Sequence, residues 1–382
     1  MINIYIPGPR QVPLIKNTDW RYPSFLAALS KYRQDIQTHR TRDFVFDLHV
    51  HAIFAVDLLR RRAHLPIPYR YGYRHSQYYK LPRNDRAAMR ADVILAYERY
   101  PSNAQLPVIW LTGPTDIEKL RRRGRTEGQI AEEIEFKREA TRRAGAVILT
   151  NEYAKRMFED VIRPEKTPLV IPFLIPATPV TLEECALKWR SPKVLRLVFV
   201  GRAAVRKGLG AVIESFRQLQ TRFPGKFELL AVSSMADGKL DVPSIRGLTY
   251  KRELTREETL EAMRQAHVMI VPAVHESYGW VYIEAMAQGA IPVAHDSPVQ
   301  RELLQNGEAG LLVDQTPDSI TEALSRLVEM PIHARELAGR ARLTWEHRFS
   351  PFAVSRQFAE LAEHLCTRPP FVTSSSFAQS VA

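Results

Sequence analysis

Apolar positions along this chain fall into two kinds of run. In the first half, INIYIP, DFVFDLHVH, ADVILAY, LPVIWL and AVILT at 146–150 are short and near-continuous, whereas FLAALSKY and VDLLRRRA space their apolar residues at helical intervals. Such alternation predicts a parallel sheet covered by helices. From Asp116 to Arg143 glutamates are mixed among cations, with Ile117, Leu120, Ile130, Ile134 and Phe136 as sparse apolar points, and the stretch reads as surface helix.

Prolines then recur at Pro164, Pro168, Pro172, Pro176, Pro179 and Pro192, around PLVIPFLIP and the polar TLEECALKWRS, which makes 163–192 the predicted hinge. A second α/β unit restarts at VLRLVFVG (194–201) and continues through helix AVIESFRQLQTRF, strand FELLAVS, helix REETLEAMRQA and strand VMIVPA. Helix WVYIEAMAQ, strand IPVAHD, short helix VQRELLQN, strand GLLVD and helix SITEALSRLVEM follow. ARLTWEHRF and SPFAVSRQFAELAEHL close the pattern as helices, with Ser350 as N-cap and Pro351 in the first helical position. TRPPFVTSSSFAQSVA, from 367 to 382, reads as a disordered, low-complexity tail.

A chain of 382 residues exceeds one hydrophobic core, so the pattern divides into an N-terminal domain (1–180) and a C-terminal domain (181–350) with a cleft between them. With 45% hydrophobic and 25% charged residues the composition is that of a soluble globular protein, and no apolar stretch has bilayer length. MINIYIPGP lacks the features of a secretory leader, so the expected compartment is the cytoplasm. Cys185 and Cys366 have no Cys or His at ligand spacing and read as plain thiols.

The net charge of +12 is uneven: residues 1–185 carry 30 Lys and Arg against 21 Asp and Glu, the remainder 24 against 21. A nucleic-acid footprint, an anionic membrane surface or solvated helix faces would each account for it. Arg60–Arg62 and Arg121–Arg123 lack the aromatic interleaving of single-strand binders, so nucleic acid is not an expected partner. Peripheral contact at the inner membrane face is the functional alternative to solvation.

The segment richest in chemistry is VMIVPAVHESYGWVYIEAMAQGAIPVAHDSP, a buried strand leading through a polar loop into a helix ended by Gly289. Ligands in open α/β sheets lie beyond the carboxyl ends of strands, where helix N-termini offer N–H groups to anions; here those groups belong to Tyr278, Gly279 and Trp280. Glu276 lies in the loop and Glu284 about one turn inside the helix. The first could accept sugar hydroxyls or sense charge at a reacting carbon, and the second could accept both hydroxyls of a ribose. The plainer alternative is a glutamate favouring the helix dipole and another that is merely solvated.

A second constellation, LVFVGRAAVRKGLGAVIESF, places Gly201-Arg202 at a strand end and Lys207-Gly208 at a helix start. Cations are disfavoured at helix N-termini unless they serve an anion, and Arg202 with Lys207 suits a diphosphate. The spacing is neither that of a P-loop nor of a dinucleotide fingerprint. No Asp-x-Asp occurs, so no metal is expected to clamp that diphosphate.

GRAAVRKG paired with HESYGWVYIEAMAQG, followed by IPVAHDSPVQREL and GLLVD, resembles the retaining glycosyltransferases of family 4, across 194 to about 366. The resemblance implies the GT-B fold: two Rossmann-like α/β/α domains facing a central cleft, with a last helix (351–366) crossing back to the N-terminal domain. It implies Arg202 and Lys207 on the donor diphosphate, Glu284 on the ribose, catalytic Glu276 near the reacting carbon, and the backbone of Tyr278, Gly279 and Trp280 against sugar or phosphate. The donor would be a UDP- or GDP-linked sugar with no separate cofactor or metal, and the acceptor a growing glycan or lipid-linked precursor in cell-surface polysaccharide or glycolipid synthesis.

Ser277 stands where the family commonly has glycine, and Asp296-Ser297-Pro298 replaces a commonly glycine-rich turn. ADVILAY, PVIWLTG and RRAGAVILTNEYAKRMF follow family order more loosely, and IPGPRQVP offers only Gly8 where a glycine-rich turn is frequent. The family's N-terminal histidine has no counterpart at Thr112-Gly113; His49, His51 and His75 read as structural. A sugar-nucleotide epimerase or phosphorylase of the same fold, or a non-catalytic nucleotide- or glycan-binding module, remains open.

Overall fold

The computed structural model describes residues 2–6, 36–40, 78–79, 91–98, 100–173, 177–233, 242–276 and 278–367. The expected elements FLAALSKY, DFVFDLHVH and VDLLRRRA, together with Gly8, His49, His51, Arg60–Arg62, His75, Ser277 and the tail beyond 367, lie outside them.

The first sheet is parallel, as the apolar runs predict. Its strands are β1 (Ile2–Ile6), β2 (Ile36–Arg40), β4 (Val93–Tyr97), β6 (Val108–Leu111), β7 (Ala146–Leu149) and β8 (Leu169–Val170), in the order β2-β1-β4-β6-β7-β8. A separate two-residue pair joins β3 (Tyr78–Tyr79) to β5 (Tyr100–Pro101). Strand order reverses between β1 and β4. Every residue of β6, VIWL, is buried, which is the reason for its unbroken apolar run.

The second sheet contains β9 (Leu195–Val200), β10 (Phe227–Val232), β11 (Leu248–Lys251), β12 (Val268–Val271), β13 (Ile291–His295) and β14 (Leu311–Val313). All pairs are parallel in the order β11-β10-β9-β12-β13-β14. Numbered within the domain this is 3-2-1-4-5-6, the doubly wound order of nucleotide-binding sheets, with its reversal between β9 and β12. In sheets of this order ligands bind beyond the carboxyl ends of the strands at such a reversal.

The basic stretch 116–143 forms two helices rather than one, Ile117–Arg122 and Glu127–Arg143, because Gly124 turns left-handed (φ 76°) between them. A capping box of Thr126 and Gln129 restarts the second. The polar half of the expected hinge, TLEECALKWRS, is also structured: Thr181 and Glu184 box-cap the helix Leu182–Lys188. Cys185 and Trp189 are buried in the C-terminal core, and the Trp189 indole donates to the carbonyl of Gly289 at 3.2 Å. Cys185 and Cys366 are both free thiols.

The helix Pro331–Thr344 runs through a π-turn, Trp345–Phe349, into the helix Pro351–Thr367, whose start is capped by Ser350 Oγ accepting from Ala353 N at 3.2 Å. This last helix leaves the C-terminal core and places Val354, Phe358, Ala359, Ala362 and Leu365 against Val93, Leu95, Ile109, Leu111 and Ile148 of the first sheet. Its larger apolar side chains each contribute roughly 1.5–3 kcal/mol by leaving water. None of the described helices is long and apolar enough to cross a membrane.

Candidate functional site

Both constellations meet where the second sheet reverses. Val200 ends β9 and leads into the turn 201–208; Val271 ends β12 and leads into the loop that carries Glu276. In the turn, the N–H groups of Lys207, Gly208 and Leu209 donate to the carbonyls of Ala203, Val205 and Ala204 at 2.9–3.0 Å. Gly208 (φ 81°) is the N-cap of the helix Leu209–Arg222. A Cβ there would lie 2.7 Å from Gln315 Nε2 and 3.0 Å from Pro272 Cγ, so the tight approach of turn to loop requires glycine.

Lys207 Nζ forms an ion pair with Glu276 Oε2, with both side chains largely buried. Arg206 Nη1 donates to the carbonyl of His275 at 3.1 Å, a second tie between the two loops. Arg202 is exposed at the strand end. A cation and a carboxylate thus face one another across the switch point, available to a ligand that carries negative charge on one part and hydroxyls on another.

The helix predicted to begin near Trp280 spans Trp280–Ala287, with Gly279 (φ 86°) as N-cap and Gly289 (φ 65°) just past its end. Glu284 is only 5% exposed, which removes the reading of a solvated helix residue. Arg256 Nη1 donates to its Oε1 at 2.8 Å from the start of the helix Arg256–Gln265. Arg256 lies 28 residues away in sequence and nothing local marks it; only the packing of two helices reveals it.

With Gly279 as N-cap, the N–H groups at the helix start are its own and those of the first turn, beginning at Trp280, two of the three residues expected there. Tyr278 is turned into the junction between the domains: its hydroxyl donates to the carbonyl of Phe173 at 3.3 Å, and burial raises its pKa. Its side chain lines an interdomain cavity of about 20 Å³ with Thr150, Asn151, Pro172, Glu302 and Arg348, room for a water and not for a sugar. The ring of Trp280 stacks on Phe173 at 5.6 Å.

Tyr282, on the same helix, donates its hydroxyl to the carbonyl of Val271 at 2.6 Å, and burial, then the nearby Glu276 charge, raise its pKa. Asp296, in the turn that departs from the family pattern, is held bidentate by Arg301 at 2.5 and 2.8 Å, and that guanidinium keeps its carboxyl below the usual range. Among the described residues no group of three or more His, Cys, Asp and Glu is placed to hold a metal ion.

The N-terminal domain gathers a charged cluster that spacing does not signal. Glu98 follows β4 at that sheet's reversal in a left-handed conformation (φ 59°), unusual for a residue with a side chain. Lys137, 5% exposed, donates to the carbonyl of Gly113 at 3.0 Å and lies 3.8 Å from Glu133. Glu98 reaches solvent, yet the surrounding protein desolvates its carboxyl enough to raise the pKa, with the Lys137 charge pulling the other way.

Residues 195–330 match the family model described as glycosyl transferases group 1. A D-inositol 3-phosphate glycosyltransferase of Rhodococcus erythropolis is 29% identical over 174 residues, 41% of this chain and 39% of that protein. A GDP-mannose:cellobiosyl-diphosphopolyprenol alpha-mannosyltransferase of Xanthomonas campestris is 26% identical over 53% of this chain and 55% of its own. The chain therefore spans about two fifths to a little over half the length of these relatives. Among solved structures, Anabaena HepE in complex with UDP and glucose has a TM-score of 0.57 at 14% identity, covering 95% of this chain and 100% of that one. An Escherichia coli structure described as trehalose-6-phosphate bound with UDP-2-fluoro glucose reaches 0.61 at 12% identity, covering 96% and 100%. Residues 195–330 are thus similar to the glycosyl transferases group 1, and the two sheets are arranged as in the GT-B fold of these solved structures.

Proposed function

We propose that the chain transfers a hexosyl-type sugar from a UDP- or GDP-linked donor, bound by the C-terminal domain, to a glycan or lipid-linked acceptor bound by the N-terminal domain. The observation that carries this reading is the Lys207–Glu276 pair at the reversal between β9 and β12. Lys207 and Arg202 neutralise the diphosphate, so that it leaves without a metal clamp. Binding of the donor exchanges the carboxylate partner of Lys207 for phosphate and releases Glu276 toward the sugar.

In the transfer, the bond between the anomeric carbon and the diphosphate oxygen breaks as the bond to the acceptor oxygen forms. Glu276 stabilises the positive charge that develops at that carbon, and the departing phosphate accepts the acceptor's proton, which leaves the anomeric configuration retained. Glu284, held by Arg256, accepts the ribose hydroxyls. The exposed Arg121–Arg123 segment, with Arg121 paired to Glu127 at 2.7 Å, is the part of the described surface suited to peripheral contact with anionic lipid.

Thermal shift with UDP, GDP, ADP and their common sugars, followed by donor-hydrolysis assays on the hits, tests the reading. Stabilisation by a uridine or guanosine diphosphate and release of sugar from the matching donor is the expected result. Binding to none of them overturns it.

A further inference from the structure

Phe173 lies where the chain leaves the first sheet, three residues past β8, and it is packed against the hydrophobic clusters of both domains. On one side its ring meets the edge of Tyr97, the last residue of β4 and the neighbour of Glu98, at 5.8 Å and 70°. On the other it stacks on Trp280 at 5.6 Å and 21° and meets Tyr278 at 5.6 Å and 80°, while its carbonyl accepts the Tyr278 hydroxyl at 3.3 Å. One side chain thus touches the end of an N-terminal strand and both residues flanking Gly279.

We propose that Phe173 is a positioning residue for the proposed transfer: it carries the relative placement of the two domains to Tyr278 and Trp280, on either side of Gly279. Three features make this segment a receiver of small displacements. Gly279 is closely covered, since a Cβ there would lie 2.6 Å from Tyr282 Cδ2 and 3.0 Å from Leu303 Cδ2. Tyr282, one turn on, is anchored to the carbonyl of Val271. Glu276, two residues before Tyr278, is tied to Lys207. With Tyr278 and Trp280 both packed on Phe173 and Tyr282 anchored to Val271, the start of the helix Trp280–Ala287 follows Phe173, and Glu276 lies two residues before Tyr278.

The inference rests on the proposed activity, and the test separates the two. Wild type, Phe173→Leu and Phe173→Tyr are compared for UDP and GDP affinity, for kcat and KM of donor hydrolysis with UDP-glucose and GDP-mannose, and for amide hydrogen exchange across 272–283 without nucleotide. Phe173→Leu is expected to lower kcat by about 10- to 100-fold, as misplacement of a reacting group by a fraction of an ångström to 1 Å does. Nucleotide affinity should stay within about threefold, amides of 275–281 should exchange faster, and Phe173→Tyr should restore kcat because the ring is kept. Turnover of Phe173→Leu within about threefold of wild type, or an equal fall in kcat and nucleotide affinity that Phe173→Tyr does not restore, overturns the role of Phe173. A wild-type chain that binds and hydrolyses nothing overturns the activity instead, and the exchange measurement then decides the coupling alone: unchanged exchange in Phe173→Leu overturns it.

Discussion

Lys207 and Glu276, sixty-nine residues apart, form an ion pair between the two loops that leave adjacent strands at the reversal of the second sheet. In the proposed transfer the cation serves the diphosphate and the carboxylate the sugar, so the pair joins the two roles at one point.

Substitution of the two should therefore split binding from turnover. Lys207→Met is expected to weaken UDP or GDP by about 10- to 100-fold, the equivalent of one charge-assisted hydrogen bond. Glu276→Gln should leave nucleotide affinity nearly unchanged and lower kcat by about 100-fold or more, as loss of one stabiliser of transition-state charge does. Calorimetric titration and donor turnover measure both; two variants indistinguishable from wild type would falsify the assignment.

Glu284 is held by Arg256 at 2.8 Å and is assigned to the ribose. Glu284→Gln should weaken UDP or GDP about tenfold, the loss of one hydrogen bond to a charged acceptor. It should also erase most of the preference for the ribonucleotide over its 2′-deoxy analogue. If the variant keeps the full preference, Glu284 serves only to orient Arg256.

Gly279→Ala combines a left-handed backbone with a clash, since the new Cβ meets Tyr282 Cδ2 at 2.6 Å and Leu303 Cδ2 at 3.0 Å. Gly225 has a similar φ of +72° and nothing within 4 Å of a Cβ, so Gly225→Ala isolates the backbone contribution. Gly225→Ala should cost about 1 kcal/mol and Gly279→Ala roughly 1–3 kcal/mol more, from overpacking. Equal midpoints in urea unfolding for the two variants would show that the clash relaxes freely.

His267 is buried behind β9, accepts the N–H of Arg196 through Nδ1 at 3.1 Å, and has its pKa pushed down to about 4 by burial, then by the charges of Arg196 and Lys188. A histidine with a depressed folded pKa binds a proton more readily when unfolded. Its contribution is therefore fully present above pH 6.5 and is lost as pH falls from 6.5 toward 4, by roughly 3 kcal/mol over that window. His267→Asn keeps an acceptor for Arg196 and should flatten this limb of the stability profile. An unchanged slope between pH 6.5 and 4 assigns it to other groups.

Much of this architecture is legible in the chain because its signals are local. Continuous apolar runs mark strands such as β6 and β12, buried on both faces, and Gly208, Gly279 and Gly289 punctuate helix ends in left-handed conformations that glycine adopts freely. The residues of the proposed donor site are legible for the same reason: Arg202 and Lys207 lie within one turn, and Glu276 and Glu284 span one loop and one helical turn. Polarity misleads at TLEECALKWRS, where capping residues and one exposed helix face disguise a helix whose Cys185 and Trp189 are buried. At 116–143 a single glycine divides what the charge pattern presents as one element.

The sequence by itself thus determined the strands with continuous apolar runs, the helices between them and the residue types gathered after β9 and β12, since each depends on neighbours within a few positions; the polar edge strands β2 (IQTHR) and β11 (LTYK) carry no such signal. Only the tertiary structure decided which of those residues meet. That Lys207 pairs with Glu276, that Arg256 reaches Glu284, and that Phe173 joins Tyr97 to Trp280 follow from strand order and helix packing, which bring together groups far apart in sequence. The side chain of Tyr278 shows the same division: its position beside Gly279 follows from the chain, whereas its direction, toward the domain junction, is set by the rings and the carbonyl it packs against.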